Sequence, residues 1–155
     1  MGRRKKVYTR DFEPDFKYNN VQVGRFVNYI MKDGKKTVAS KIVYKAFDII
    51  QEKTKQDPIE VFEAAVNKVA PILEIKSKRV GGATYQVPME VRGGRRMLLA
   101  FRWMLIAAKA RKGRPMAEKL AAEILDINNG TGAAIKKRDD VQKMAESNRA
   151  FAHFA

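Results

Sequence analysis

Residues 79–96 read RVGGATYQVPMEVRGGRR. Four of the ten glycines fall here, as two pairs that bracket a run of strand-favouring residues. The Gly81–Gly82 pair suits a two-residue hairpin loop, whose central positions need positive φ. Leu73–Val80 is then one arm and Ala83–Val91 the other, with Val80 facing Ala83, Lys78 facing Tyr85 and Lys76 facing Val87. Alternation puts the two lysines, Tyr85 and the valines on one face, and Ile75, Ser77, Arg79, Thr84, Gln86 and Pro88 on the other. Pro88 removes a ladder donor, which confines its strand to an edge. Neither face is apolar enough for a second core, and a lone hairpin is marginal in water. The ribbon is therefore expected to project as an arm or to be steadied by a partner, with Gly93–Gly94 as the hinge back into helix.

Outward from the ribbon the chain reads as helix. Before it, Asn20 can cap a segment in which Val23, Phe26, Val27, Ile30 and Met31 repeat at helical spacing, with Gly34 as its C-cap glycine. Thr37 can cap the next, with Ala39, Ile42, Val43, Ala46, Phe47 and Ile50 inward. The residues between, DGKK, form a tight turn that exposes Lys35 and Lys36. DPIE at 57–60 is a helix start: Asp57 as N-cap, Pro58 first in the helix, Glu60 three residues after the cap. Its stripe is Phe62, Ala65, Val66 and Val69, and Pro71 closes it.

After the ribbon, RRMLLAFRWMLIAAKARKG is the most apolar helix, expected at the centre with Trp103 packed inside. Gly113 stops it and Pro115 starts another, with Ala117, Leu120, Ala121 and Ile124 inward. NNGTGA at 128–133 is a loop. A last helix is expected from about Asp139 or Asp140, with Val141, Met144, Asn148 and Phe151 on one side. Residues 1–18 lack helical periodicity and read as an extended basic arm. The expectation is mainly α: one helical domain over 19–155, with about six helices, a protruding two-stranded β-hairpin at about 73–91 and the arm.

The net charge is +15, and its placement matters more than its size. Residues 1–10 carry Arg3, Arg4, Lys5, Lys6 and Arg10 without an acid. Residues 75–117 carry Lys76, Lys78, Arg79, Arg92, Arg95, Arg96, Arg102, Lys109, Arg111, Lys112 and Arg114 against Glu90 alone. The rest of the chain is neutral. A merely solvated surface mixes its signs, so two one-signed windows point to a polyanion footprint. Lys136 and Lys137 join it, because cations just before a helix oppose the macrodipole and are not explained by local stability. Arginine forks at the hairpin base can grip phosphates in pairs of bonds. Tyr85 between lysines could stack on an unpaired base or pack on Val87. The spread over an arm, a ribbon and helix ends suits structured RNA, read by shape and phosphates, better than a DNA-reading helix pair.

Other chemistry finds little support. There is no cysteine, hence no disulfide, thiolate zinc site or cysteine nucleophile, which fits a reducing compartment. The only histidine, His153, reads as a terminal surface residue. No metal-ligand spacing and no phosphate-cradling GK[ST] loop occurs. Acids such as Glu60, Glu63, Glu118 and Glu123 read as solvated helix faces paired with lysines. No apolar run approaches the roughly 20 residues of a membrane span. A cytosolic protein, or one inside an organelle after processing, that is not an enzyme and needs no cofactor is the expectation.

DGKKTVASKIVYKA (33–46), RVGGATYQVPMEVRGGRR (79–96), the Arg102–Trp103 pair and AIKKRDDVQKMAESNRAFAHF (134–154) resemble the small-subunit ribosomal protein seven family in its bacterial form. The resemblance spans nearly the whole chain. It implies a fold of about six helices with a protruding hairpin, and binding to the 3′ domain of small-subunit ribosomal RNA early in assembly of the subunit head. It implies a hairpin beside the transfer RNA exit site and the messenger RNA path, and neighbouring small-subunit proteins as partners. Carried over by position, the basic arm, Lys35–Lys36, Lys76, Arg79, Arg92, Arg95, Arg96, Lys136 and Lys137 would contact RNA. Phe16 and Gly93–Gly94 stand where the family pattern often has proline, which bears on the arm's path and on the stiffness of the hairpin base. A free-standing RNA chaperone or DNA-architectural protein is the other reading.

Overall fold

The structure is a computed structural model and describes residues 12–154. Three helices come first: α1 (Val21–Ile30), α2 (Lys36–Thr54) and α3 (Pro58–Val69). The ribbon follows as β1 (Leu73–Val80) and β2 (Ala83–Glu90). Then come α4 (Gly93–Ala110), α5 (Met116–Asn128), α6 (Ala133–Ser147) and a closing 3-10 helix, Arg149–Phe154. The fold is mainly α, with one two-stranded antiparallel sheet among the described residues, as the apolar periodicity and the glycine pairs indicate.

Local chemistry sets several boundaries. The Asn20 side-chain oxygen accepts from the Gln22 and Val23 amides at 2.7 and 3.3 Å, and Asp57 accepts from the Ile59 amide at 2.9 Å. Both caps stand where the sequence puts them. Elsewhere tertiary structure overrides the local signals. The first helix stops at Ile30, and Gly34 lies beyond it, in a turn where Asp33 and Gly34 have φ of 53° and 71°. The second begins at Lys36 with no side-chain cap, so Thr37 lies inside its first turn. In α4, Gly93 and Gly94 are not a hinge; they form the first helical turn, where the Arg96 amide already bonds the Arg92 carbonyl at 2.9 Å.

The largest shift is in α6, which starts at Ala133. Lys136, Lys137 and Arg138 therefore sit in its first turns, not before it. The cap comes from another helix: the Glu123 side chain of α5 accepts from the Ala134 amide at 3.0 Å. A carboxylate at that end also offsets the helix dipole that the lysines oppose. Gly132 makes room for this arrangement, since a Cβ there would lie 2.8 Å from Ile127 Cγ1 and 3.0 Å from Glu123 Oε1.

Four phenylalanines, one from each of α1 to α4, form the hub of the core. Phe26 lies 5.1 Å from Phe62 and 5.2 Å from Phe101, and Phe62 lies 5.5 Å from Phe47, between ring centroids. All four are fully buried. Such rings dominate core energetics. α5 closes the bundle by packing on α2, α3 and α4. Trp103 is not inside: it is half-buried at the edge of the core, while Ala100, Phe101, Met104, Leu105, Ala107 and Ala108 face in. A helix apolar all round does not reveal by period which face is buried. The stripe expected on α6 also differs. Ala134, Ile135 and Ala145 are buried, and Met144 is exposed.

Residues 12–20 lie against the bundle. Asp15 is buried and accepts from the Lys17 and Tyr18 amides and, at 2.8 Å, from the Tyr44 hydroxyl. The Tyr18 ring meets Tyr44 and Phe47 edge-on.

Candidate nucleic-acid interface

The ribbon pairs in the register read from its glycines: Val80 with Ala83, Lys78 with Tyr85, Lys76 with Val87 and Ile75 with Pro88. Gly81 and Gly82 take φ of 57° and 90°, open to glycine at no steric cost. Only the outer half is open. Lys76, Lys78, Arg79 and the loop are exposed, whereas Val87 and Pro88 near the root are buried and β1 packs on α6. The ribbon is not a bare arm either. The closing 3-10 helix lies along β2, with Tyr85 between Phe151 and Phe154 at 5.2 and 5.0 Å, and Lys78 donates to the Phe154 carbonyl. Tyr85 thus packs its partly buried ring on Phe151 and Phe154.

At the root one acid is buried among cations. Arg95 Nε bonds both Glu74 carboxylate oxygens at 2.9 and 2.7 Å, and Lys76 Nζ lies 3.3 Å away. Burial pushes the Glu74 pKa up, but the bonds from Arg95 and Lys76 outweigh it, so the group sits below its ordinary value and stays ionised at neutral pH. This pairing engages Arg95 through Nε and leaves its side chain about half exposed. Arg92 and Arg96 flank it and are exposed.

Along α4 the outward positions are Arg95, Leu98, Arg102, Ile106 and Lys109, a single face by helical spacing, and all are exposed. Fourteen residues separate the ends of that face, about 21 Å at 1.5 Å per residue. Lys112 lies exposed just past the helix end. On α6, Lys136 and Lys137 are exposed near the capped N-terminus. Because α6 packs against both α4 and β1, it joins the basic residues of the ribbon and those of α4 to its own.

Other candidates fall elsewhere. Lys35 and Lys36 sit exposed on the α1–α2 turn, whose helices pack within the bundle and not on the ribbon. Arg3, Arg4, Lys5, Lys6 and Arg10 lie outside the described residues. Arg111 is occupied: its guanidinium bonds Glu123 at 2.9 and 2.6 Å and also bonds Asp126. Glu123, fully buried, therefore joins Arg111 to the start of α6. It is not the expected solvated surface acid. The sequence signal that could have found it is its spacing from Leu120 at i−3 and Ile127 at i+4, which puts it on the apolar face of α5. Among the described residues no group of acids and histidine could hold a metal ion, and no helix is long and apolar enough to cross a membrane.

Comparison with known proteins bears on this surface. A sequence model of the family Ribosomal protein S7p/S5e matches residues 2–149. The chain belongs to the S7p/S5e ribosomal protein family. Proteins named small ribosomal subunit protein uS7 are similar over nearly the full length of both chains. That of Thermotoga petrophila is 59% identical over 152 residues, covering 98% of each chain. That of Dictyoglomus turgidum is 58% identical over 154 residues, and that of Clostridium kluyveri 54% over 154, each covering 99% of both chains. The family membership read from the GGATYQVP ribbon and the AHF ending thus holds from end to end, in a bacterial form.

Proposed function

We propose that this protein is a structural component of the small ribosomal subunit. It binds the 3′ domain of the ribosomal RNA, nucleates assembly of the subunit head, and directs its ribbon toward the exit site for transfer RNA and the messenger RNA path. Family membership supports the ribosomal reading. The observation that carries RNA binding is that α6 joins the ribbon and the α4 face, with their one buried acid, Glu74, already paired with Arg95 and Lys76. Exposed Arg92, Arg96, Arg102, Lys109, Lys136 and Lys137 supply donors with no acid facing them in an ion pair among the described residues. Phosphates of a folded RNA are the polyanion that such a surface, some 20 Å long, fits by shape. The basic N-terminal arm adds further phosphate contacts. Arg111, held by Glu123 and Asp126, has a structural role in this reading.

The test is sedimentation. Full-length protein expressed in bacterial cells should remain with small subunits, in the cytoplasm, through a high-salt wash that strips loosely held factors. Release into the soluble fraction at that wash would favour a free-standing RNA chaperone.

A further inference from the structure

Leu99 and Trp103 stand one turn apart on α4. Val141 and Met144 of α6 face them across a groove, to which the ribbon adds Ile75. The walls are helices packed on one another and on β1, so the gap is fixed by the fold and not by a loop. Trp103 is half-buried, and Met144 keeps 45% of its surface exposed. The groove thus offers an indole, an adaptable thioether and branched aliphatic groups to whatever enters it.

The polar groups in the groove narrow the ligand. Lys137 contributes a cation. Gln86 and Asn148 contribute amides, each half used: Gln86 Oε1 accepts from the Ser77 hydroxyl, and Asn148 Nδ2 donates to the Met144 carbonyl. The remaining amide donor of Gln86 and acceptor of Asn148 have no partner among the described residues. The single carboxylate, Glu74, is taken up by Arg95 and Lys76. A ligand that is flat, apolar on its face, hydrogen-bonding at its edge and attached to an anion satisfies all of these groups at once. We propose that the groove receives one unpaired nucleobase, stacked on the Trp103 indole, with its edge on the Gln86 and Asn148 amides and its phosphate on Lys137. The proposal rests on the RNA-binding reading and assigns one site within it.

Trp103 is the only tryptophan of the chain, so its emission reports on this groove alone. The full-length protein is titrated with a transcript of the small-subunit 3′ domain and, separately, with a fully paired RNA duplex of matched charge. Anisotropy of labelled RNA measures binding, and Trp emission measures stacking. The transcript should quench emission by more than about half, whereas the duplex, which has no free base to insert, should bind without quenching. Trp103→Leu should weaken transcript binding about 5- to 100-fold and duplex binding by less than about twofold, while Trp103→Phe should stay within about threefold of wild type. Circular dichroism checks that each variant is folded. If the leucine variant does not fold, the wild-type emission decides alone. Transcript binding with unmoved emission would overturn the base site and leave RNA binding standing, with the groove free for an apolar side chain of a neighbouring protein. Equal quenching by duplex would also overturn it. Binding of neither RNA would overturn both readings.

Discussion

Glu123 shows how much one side chain can organise. It is fully buried, yet both its oxygens are used, one by the Arg111 guanidinium and the other by the Ala134 amide. A buried ion pair adds little net stability over an apolar substitute, but removing one partner strands the other charge. Glu123→Ala should therefore destabilise the protein by about 3–5 kcal/mol, measured as a shift in denaturant midpoint. Glu123→Gln keeps an acceptor for Ala134 and should cost less. An alanine variant within about 1 kcal/mol of wild type would show that Arg111 relaxes onto Asp126 at no cost. The string LAAEILD puts Glu123 one turn from Leu120 on the apolar face, but it does not name the partners, because those are brought by other parts of the chain. Asn20 and Asp57 are the contrary case, legible because a cap acts on amides two or three residues away. Trp103 stands between the two: its helix was legible, its face was not. Its half-buried place lowers the stability cost of truncation below that of a fully buried ring such as Phe62.

At the scale of elements, the ribbon is the instructive piece. Its register follows from the glycine pair alone, since a two-residue loop fixes every opposed pair beyond it. What it packs against does not follow, because the partners, α6 and the closing 3-10 helix, lie more than forty residues further along the chain. The inner half, with Val87 and Pro88 buried, belongs to the body, and the outer half is open. Deleting Ser77–Gln86, the open outer half, and rejoining the ends with a short glycine link should therefore leave the helical circular dichroism largely intact. It should free the Arg149–Phe154 segment, seen as faster amide exchange there, because Tyr85 and Lys78 no longer hold Phe151 and Phe154. Subunits carrying the deletion should assemble but lose reading-frame fidelity. Loss of the helical signal would show that the ribbon is part of the core. The start of α6 carries no local cap signal, because its cap is supplied by Glu123 of α5.

At the scale of the whole molecule, charge and packing divide the labour. The four-phenylalanine hub and α5 build the bundle, and the exposed excess cations of the described residues sit on the ribbon, the outward face of α4 and the start of α6, the rest of the excess falling in residues 1–10 of the sequence. Fold class was legible because helical period, caps and the glycine ribbon are local, and the family only because whole stretches of the chain resemble its members. The one-signed windows were legible because charge needs no geometry to be counted. Which cations remain free was not legible: Arg111 and Arg95 look alike in sequence, yet one is enclosed by two carboxylates and the other keeps an exposed terminus. The central claim is that the free cations form a phosphate footprint, and the salt dependence of binding to a transcript of the small-subunit 3′ domain tests it most directly. Eight to ten phosphate contacts should give a slope of log affinity against log salt of about −6 to −9. A slope shallower than about −2 would contradict the account.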